Sequence, residues 1–188
     1  MGAMVWLFDT PPRGVDNVGR PLGWPGSALI ARAAQGAGCG PDPAATCDIA
    51  RLDDGRSRCR RCGAWWSASQ VARYGAVARS DESIGVDIED RRRRPGAYRR
   101  ASVWCGVDLT TPEQWTQAEA LWKAMGLGHR EPAAGEIPLS PTWQLGWQPS
   151  RDGAWWLYSD TGLCPWSVAV PRHGRSLPPS VSTVRKDY

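Results

Sequence analysis

Phenylalanine and histidine are nearly missing from this chain of 188 residues, with one Phe and two His. His129 and His173 stand apart near expected loops, so they read as solvated side chains and not as a ligand pair. No apolar run approaches the ~20 residues of a membrane-spanning helix. No basic segment followed by an apolar stretch opens the chain in the manner of a secretory signal. The expected setting is therefore cytoplasmic, with the six Cys as reduced thiols. Cys59 and Cys62 have the spacing of half a zinc site. No second Cys-x-x-Cys follows, and Cys39 and Cys47 are poorly spaced to complete one, so structural zinc ranks low. No convincing internal repeat is visible.

Tryptophan is what the chain has in excess, at twelve residues. That density implies aromatic packing with polar N–H contacts, or flat stacking surfaces. The length and a hydrophobic fraction of 41% allow one domain with a real core, or two small halves sharing one. A net charge of +4 is mild and fits an acidic partner or a phosphorylated ligand. The run Arg91-Arg92-Arg93-Arg94, with Arg99 and Arg100, lies beside Asp81, Glu82, Glu89 and Asp90. It reads as a neutralised surface or a phosphate contact, and nucleic acid is not the expected partner.

Along the chain, Val5 to Phe8 reads as a strand and Ser27 to about Gln35 as a helix, ended by Gly36, Gly38 and Gly40. Cys47 to Leu52 is strand or short helix, and Cys59 to Ala64 a basic loop. Tyr74 to Ala78 and Ile84 to Ile88 are two apolar runs joined by Ser80-Asp81-Glu82, which predicts a hairpin. Arg91 to Arg100 reads as a charged connection. Thr111-Pro112-Glu113-Gln114 is a capping box with Pro at the first helical position. The helix it opens carries Trp115, Ala118, Trp122 and Met125 as an apolar stripe, read as core, and stops at Gly126. Thr142 to Gln148, Ala154 to Tyr158 and Trp166 to Val170 form a predicted meander. The fold class is α+β, in two halves over residues 1–90 and 91–171 around a shared cleft. Residues 172–188 are Pro/Ser-rich and basic and read as a loose tail.

The chemistry concentrates in Ile84-Gly85-Val86-Asp87-Ile88-Glu89. Apolar residues alternate with Gly85, Asp87 and Glu89, so the two acids share one strand face, ~6.5 to 7 Å apart. Two carboxylates there want a cation between them, and a hard divalent ion with oxygen ligands is the simplest one. The bland reading is a solvent-facing strand with surface acids. Glu119 and Lys123 sit four apart on the capped helix. Packed on the strand, that helix brings a third carboxylate and an ammonium to Asp87 and Glu89, an arrangement suited to Mg²⁺ and phosphate.

The blocks Ile84 to Glu89 and Trp115-Thr116-Gln117-Ala118-Glu119-Ala120-Leu121-Trp122-Lys123-Ala124 together resemble the signature of the 4′-phosphopantetheinyl transferases, of the two-halved surfactin-synthetase type. Gly126-Leu127-Gly128 is similar to the family's following turn. Trp66 to Gln70 stands where the family has a Ser-rich strand ending in His, and Cys59-Arg60-Arg61-Cys62-Gly63 resembles a segment common in actinobacterial members. The resemblance covers roughly residues 28–170. It implies transfer of 4′-phosphopantetheine from coenzyme A to a serine of an acyl or peptidyl carrier protein in specialised metabolism. It implies Asp87, Glu89 and Glu119 as Mg²⁺ ligands, Glu119 also as proton acceptor, Lys123 as a catalytic phosphate contact, and Ser69, Gln70 and Lys123 at the coenzyme. The chain departs from the family at Ala118, where a Lys is usual, and at Gln70, where a His is usual. A Gly-Arg-Pro or Gly-Lys-Pro block is missing before Trp66. The stretch from Glu89 to Trp115 is shorter than usual, which predicts a lost helix. The alternative is a repurposed or inactive member of the same fold that acts on another substrate or binds a carrier protein.

Overall fold

The computed structural model describes residues 2–15, 17, 23–40, 44–92 and 94–187. Arg93 of the arginine run lies outside them. The elements are β1 (Gly2–Asp9), α1 (Gly26–Ala34), β2 (Ile49–Arg51), β3 (Ser57–Cys59), β4 (Trp65–Gln70), β5 (Tyr74–Ser80) and β6 (Gly85–Ile88). They continue as α2 (Pro95–Cys105), α3 (Pro112–Ala124), β7 (Gly146–Pro149), β8 (Trp155–Asp160), β9 (Trp166–Pro171) and β10 (Ser180–Asp187). The class is α+β. A mixed six-strand sheet runs β10-β1-β5-β4-β3-β2, and a four-strand antiparallel sheet runs β6-β9-β8-β7.

Both faces of both sheets are covered, and strand alternation shows how. Val5 and Leu7 of β1, with Ala76 and Ala78 of β5, face a core shared with Val86 and Ile88 of β6 and Trp166, Val168 and Val170 of β9. The intervening Trp6, Phe8 and Val77 face the other way, onto Leu29, Ile30, Ala33 and Ala34 of α1. On the far side of the four-strand sheet, Leu157 and Ala169 pack beneath α2 and α3. The order of layers is α1, six-strand sheet, four-strand sheet, then α2 with α3. The tryptophans serve mostly this packing: Trp6 stacks on Trp66 at 5.6 Å, and Trp104 meets Trp122 at 5.7 Å.

Several expectations change. The predicted hairpin of β5 and β6 does not form. β5 pairs with β1 and β4, whereas β6 joins the other sheet against β9. Both runs are apolar, and nothing local to them selects a partner. β6 thus belongs to the four-strand sheet, and the chain returns to the six-strand sheet only with β10. The charged connection contains α2, opened by Pro95 at its first turn and closed by Gly106 in the left-handed region at φ 64°. The segment read as a loose tail carries β10, which pairs in parallel with β1 from Gly2↔Ser180 onward. The meander forms as β7, β8 and β9.

Candidate active site

The face of β6 that carries Asp87 and Glu89 lies under α3. Gly85 makes this possible. A Cβ at Gly85 would stand 1.9 Å from the Ala120 carbonyl oxygen and 2.6 Å from the Ala124 nitrogen. The helix backbone therefore rests directly on the strand. α3 itself follows its sequence. Thr111 caps it, accepting from the Gln114 N–H at 3.3 Å, and the Gln114 side chain accepts from the Thr110 N–H at 2.9 Å. The buried face differs from the predicted stripe. Thr116, Gln117, Ala118, Ala120, Leu121 and Ala124 are buried, while Trp115 and Trp122 are only half-buried. Small residues face β6, which lets the backbones approach.

That approach brings the two blocks together. Asp87 is 4% exposed and Glu89 2%. The Lys123 ammonium donates to Asp87 Oδ1 at 2.7 Å and to the Val86 carbonyl at 3.2 Å, and it lies 3.7 Å from Glu119 Oε2. Ser69 of β4 donates to the same Asp87 Oδ1 at 2.6 Å. The next contact along is Ser67, whose hydroxyl accepts from the Val86 N–H at 3.0 Å. Glu89 Oε1 accepts from the Asp90 N–H at 2.9 Å and pairs with Arg94 at 3.0 Å. Asp87 Oδ2 and Glu89 Oε2 take no hydrogen bond from the described residues.

Burial dominates the electrostatics. It pushes Glu89 up to about 7, against the pull of Arg94. It pushes Glu119 to about 7 as well, with the charges of Asp87 and Glu89 adding to it and Lys123 opposing. Burial works against a charge on Lys123, but the Asp87 and Glu119 carboxylates outweigh it and hold the ammonium above the ordinary lysine value. Two carboxyls near neutrality beside a fixed ammonium can exchange a proton at physiological pH.

A cleft of about 950 Å³ opens beside Lys123. Its walls include Ile30 and Ala34 of α1, Arg51 of β2, Arg56 of the β2–β3 turn, Ser67 of β4 and Lys123 of α3. Arg56 is held by Asp54 and donates to Ser83 Oγ at 3.0 Å, and Ser83 donates to the Ala124 carbonyl at 2.6 Å. Gln70 is exposed at the end of β4 and is not among the lining side chains. So Lys123 joins Asp87, Glu119 and, through Asp87, Ser69, while Glu89 pairs with Arg94; among the described residues the three carboxylates do not close into one set of metal ligands, and Gln70 stands apart. Sequence reasoning missed Arg94 as the partner of Glu89. It saw the arginine run, but the run does not say which arginine turns inward.

A second constellation was also misjudged. Cys39, Cys47, Cys59 and Cys62 bring their sulfurs within 4.8 Å of one another. Among the described residues, this is the one group of three or more Cys, His, Asp or Glu ligand atoms gathered so closely. The eight-residue step from Cys39 to Cys47 is too long for a Cys-x₂₋₄-Cys turn, which is why spacing alone argued against it. The pairing of Ile49 with Cys59 across β2 and β3 closes the gap.

No family model matches this chain, and no curated protein matches it at a significant level.

Proposed function

We propose that this chain transfers 4′-phosphopantetheine from coenzyme A to a serine of an acyl or peptidyl carrier protein, with Mg²⁺, on a fold of the 4′-phosphopantetheinyl transferase kind. The observation that carries the reading is that Lys123, a wall residue of a cleft of about 950 Å³, pairs with Asp87 at 2.7 Å and lies 3.7 Å from Glu119, with Glu89 on the same face of the chain as Asp87. Neither block is remarkable alone. Their meeting through Gly85 is what a shared site needs.

Each residue has a task in this reading. Asp87 and Glu89, each with an open carboxylate oxygen, suit a hard divalent cation. Mg²⁺ commonly takes one or two carboxylates and completes its shell with water and substrate phosphate, so the three acids need not all close on one ion. When bound, the ion would neutralise diphosphate oxygens. Glu119, 3.7 Å from the Lys123 ammonium, accepts the proton of the carrier serine. The serine oxygen bonds to the phosphorus that bears pantetheine, and the bond from that phosphorus to the adenosine bisphosphate oxygen breaks. Lys123 lines the cleft and offers its ammonium to the diphosphate. Ser69 holds Asp87 in place and is a positioning residue. The work is orientation and charge stabilisation, as in phosphoryl transfer generally.

Incubation of apo-carrier protein with coenzyme A, Mg²⁺ and this chain tests the reading. The carrier gains the phosphopantetheine mass, and Glu119→Ala removes the gain. A folded wild-type chain that modifies none of several carriers sinks it. Two positions favour a second reading, a relative that binds a carrier without the reaction. Ala118, where a Lys is usual, is 2% exposed inside the helix packing, and Gln70, where a His is usual, cannot carry a positive charge. That reading expects no coenzyme A binding by calorimetry. Micromolar binding with Mg²⁺ rules it out.

A further inference from the structure

We infer that Cys39, Cys47, Cys59 and Cys62 form a four-thiolate zinc site that pins the turn after α1 to the β2–β3 hairpin. The sulfur geometry is the first ground. A tetrahedron with zinc–sulfur bonds of about 2.3 Å has sulfur–sulfur edges of about 3.8 Å. Cys39 and Cys59 sulfurs stand 3.6 Å apart, and those of Cys47 and Cys62 stand 3.9 Å apart. A disulfide needs about 2.05 Å, and all four cysteines are free.

The backbone is the second ground. Burial disfavours a thiolate at Cys59, but the backbone N–H groups of Cys62 and Arg61 in the turn that follows outweigh it and pull the thiol down. The turn closes with the Gly63 N–H on the Cys59 carbonyl at 3.0 Å. Cys39 and Cys62 are each followed by a glycine in the left-handed region, Gly40 at φ 65° and Gly63 at φ 74°. Each chain thus turns away as soon as it has delivered its sulfur. A Cβ on Gly40 would already stand 3.6 Å from Cys62 Cβ.

Ordinary thiol packing accounts poorly for the arrangement. Cys39 and Cys59 are buried, but Cys47 and Cys62 are only half-buried. The four arrive from three separate stretches of chain. A set of four sulfurs selects a soft or borderline tetrahedral ion, and four protein ligands leave no open position, which marks a structural site. Binding would release the thiol protons and leave a centre of charge −2. Arg58 of β3 and Arg60 and Arg61 of the following turn flank Cys59 along the chain and put positive charge near that centre.

The location gives the site its role. β2 and β3 are three residues each and end the six-strand sheet. Strands that short hold few ladder bonds and have little stability of their own. A metal clip across residues 39 to 62 supplies the missing constraint. The same hairpin carries Arg51 and Arg56 to the cleft wall. The inference does not rest on the transfer reaction, and its test reads metal and not activity.

The full chain, purified without chelator, is expected to hold one zinc per molecule by elemental mass spectrometry. Its zinc absorption spectrum is expected to show four sulfur neighbours at about 2.3 Å. The double variant Cys47→Ser, Cys62→Ser loses the zinc. The control Cys105→Ala, Cys164→Ala keeps it, since those thiols lie elsewhere in the core. Should the double variant not fold, cobalt loaded into wild type decides the matter through the intense visible bands of tetrahedral thiolate coordination. Zinc at background in folded wild type offered zinc overturns the proposal. So does iron in its place, oxygen or nitrogen in the first shell, or a Cys39–Cys59 disulfide.

Discussion

Gly85→Ala tests how the site is built, because the added methyl has nowhere to go. Its Cβ would stand 1.9 Å from the Ala120 carbonyl oxygen, 2.6 Å from the Ala124 nitrogen and 3.0 Å from the Ala120 carbonyl carbon. Carbon and oxygen approach no closer than about 3.3 Å in comfort, so α3 must retreat by more than about 1 Å. The obstructing atoms are helix backbone, so no side chain can turn aside. Overpacking costs about 1–3 kcal/mol, and this case belongs at the top of that range. For a chain of this size, about 3 kcal/mol lowers the melting temperature by about 6–12 °C. The retreat also stretches the 2.7 Å bond between Lys123 and Asp87, and a displacement of about 1 Å can cost about 100-fold in rate. Two other glycines calibrate the measurement. A Cβ at Gly75 meets the side chain of Leu29, its methyls at 2.7 and 3.2 Å, and no backbone, so Gly75→Ala costs less. Gly96 in α2 has nothing within 4 Å, and Gly96→Ala stabilises by about 0.5–1 kcal/mol. Thermal melts followed by circular dichroism give the order. A Gly85→Ala protein that melts with wild type, or above Gly75→Ala, refutes the close approach of α3 to β6.

The other predictions concern charge and the buried polar groups. Glu89 and Glu119 are raised to about 7 in the folded protein, so the native state binds more protons than the unfolded chain between the ordinary carboxyl range and neutrality. Stability without added Mg²⁺ therefore falls as pH rises from about 4.5 to 7, and urea midpoints across that range show a shallower fall in Glu119→Gln; an equal slope counts against the shift. Lys123→Met leaves Asp87 and Glu119 facing each other without their ammonium and costs about 3 kcal/mol at pH 7.5, measured by urea unfolding, with recovery at pH 5 as the carboxyls protonate. Gln117 is 1% exposed, donates to Ser159 Oγ at 2.7 Å and accepts from Gln148 at 3.0 Å, so Gln117→Leu strands two buried partners and costs about 2–3 kcal/mol by the same measure. A neutral effect there would mean that water replaces the amide.

What could be read in the sequence was local. The period of two in Ile84 to Glu89 placed Asp87 and Glu89 on one face, because a strand's side chains alternate whatever it pairs with. The capping residues Thr111 and Gln114 located the start of α3, and the four-residue step from Glu119 to Lys123 placed them side by side. What only the tertiary structure decided was long-range. Apolar β5 and β6 carry no mark that assigns them to different sheets, and β10 pairs with a strand at the opposite end of the chain. The half-burial of Trp115 and Trp122 follows from which face of α3 can meet Gly85, a question of backbone clearance. The four cysteines are the clearest case. Their spacing looks wrong along the chain because the ligand geometry is set across it, by the β2–β3 pairing that brings Ile49 opposite Cys59. Side-chain periodicity is a property of one segment, whereas a site assembled from several segments depends on contacts whose energies exist only once the chain has folded.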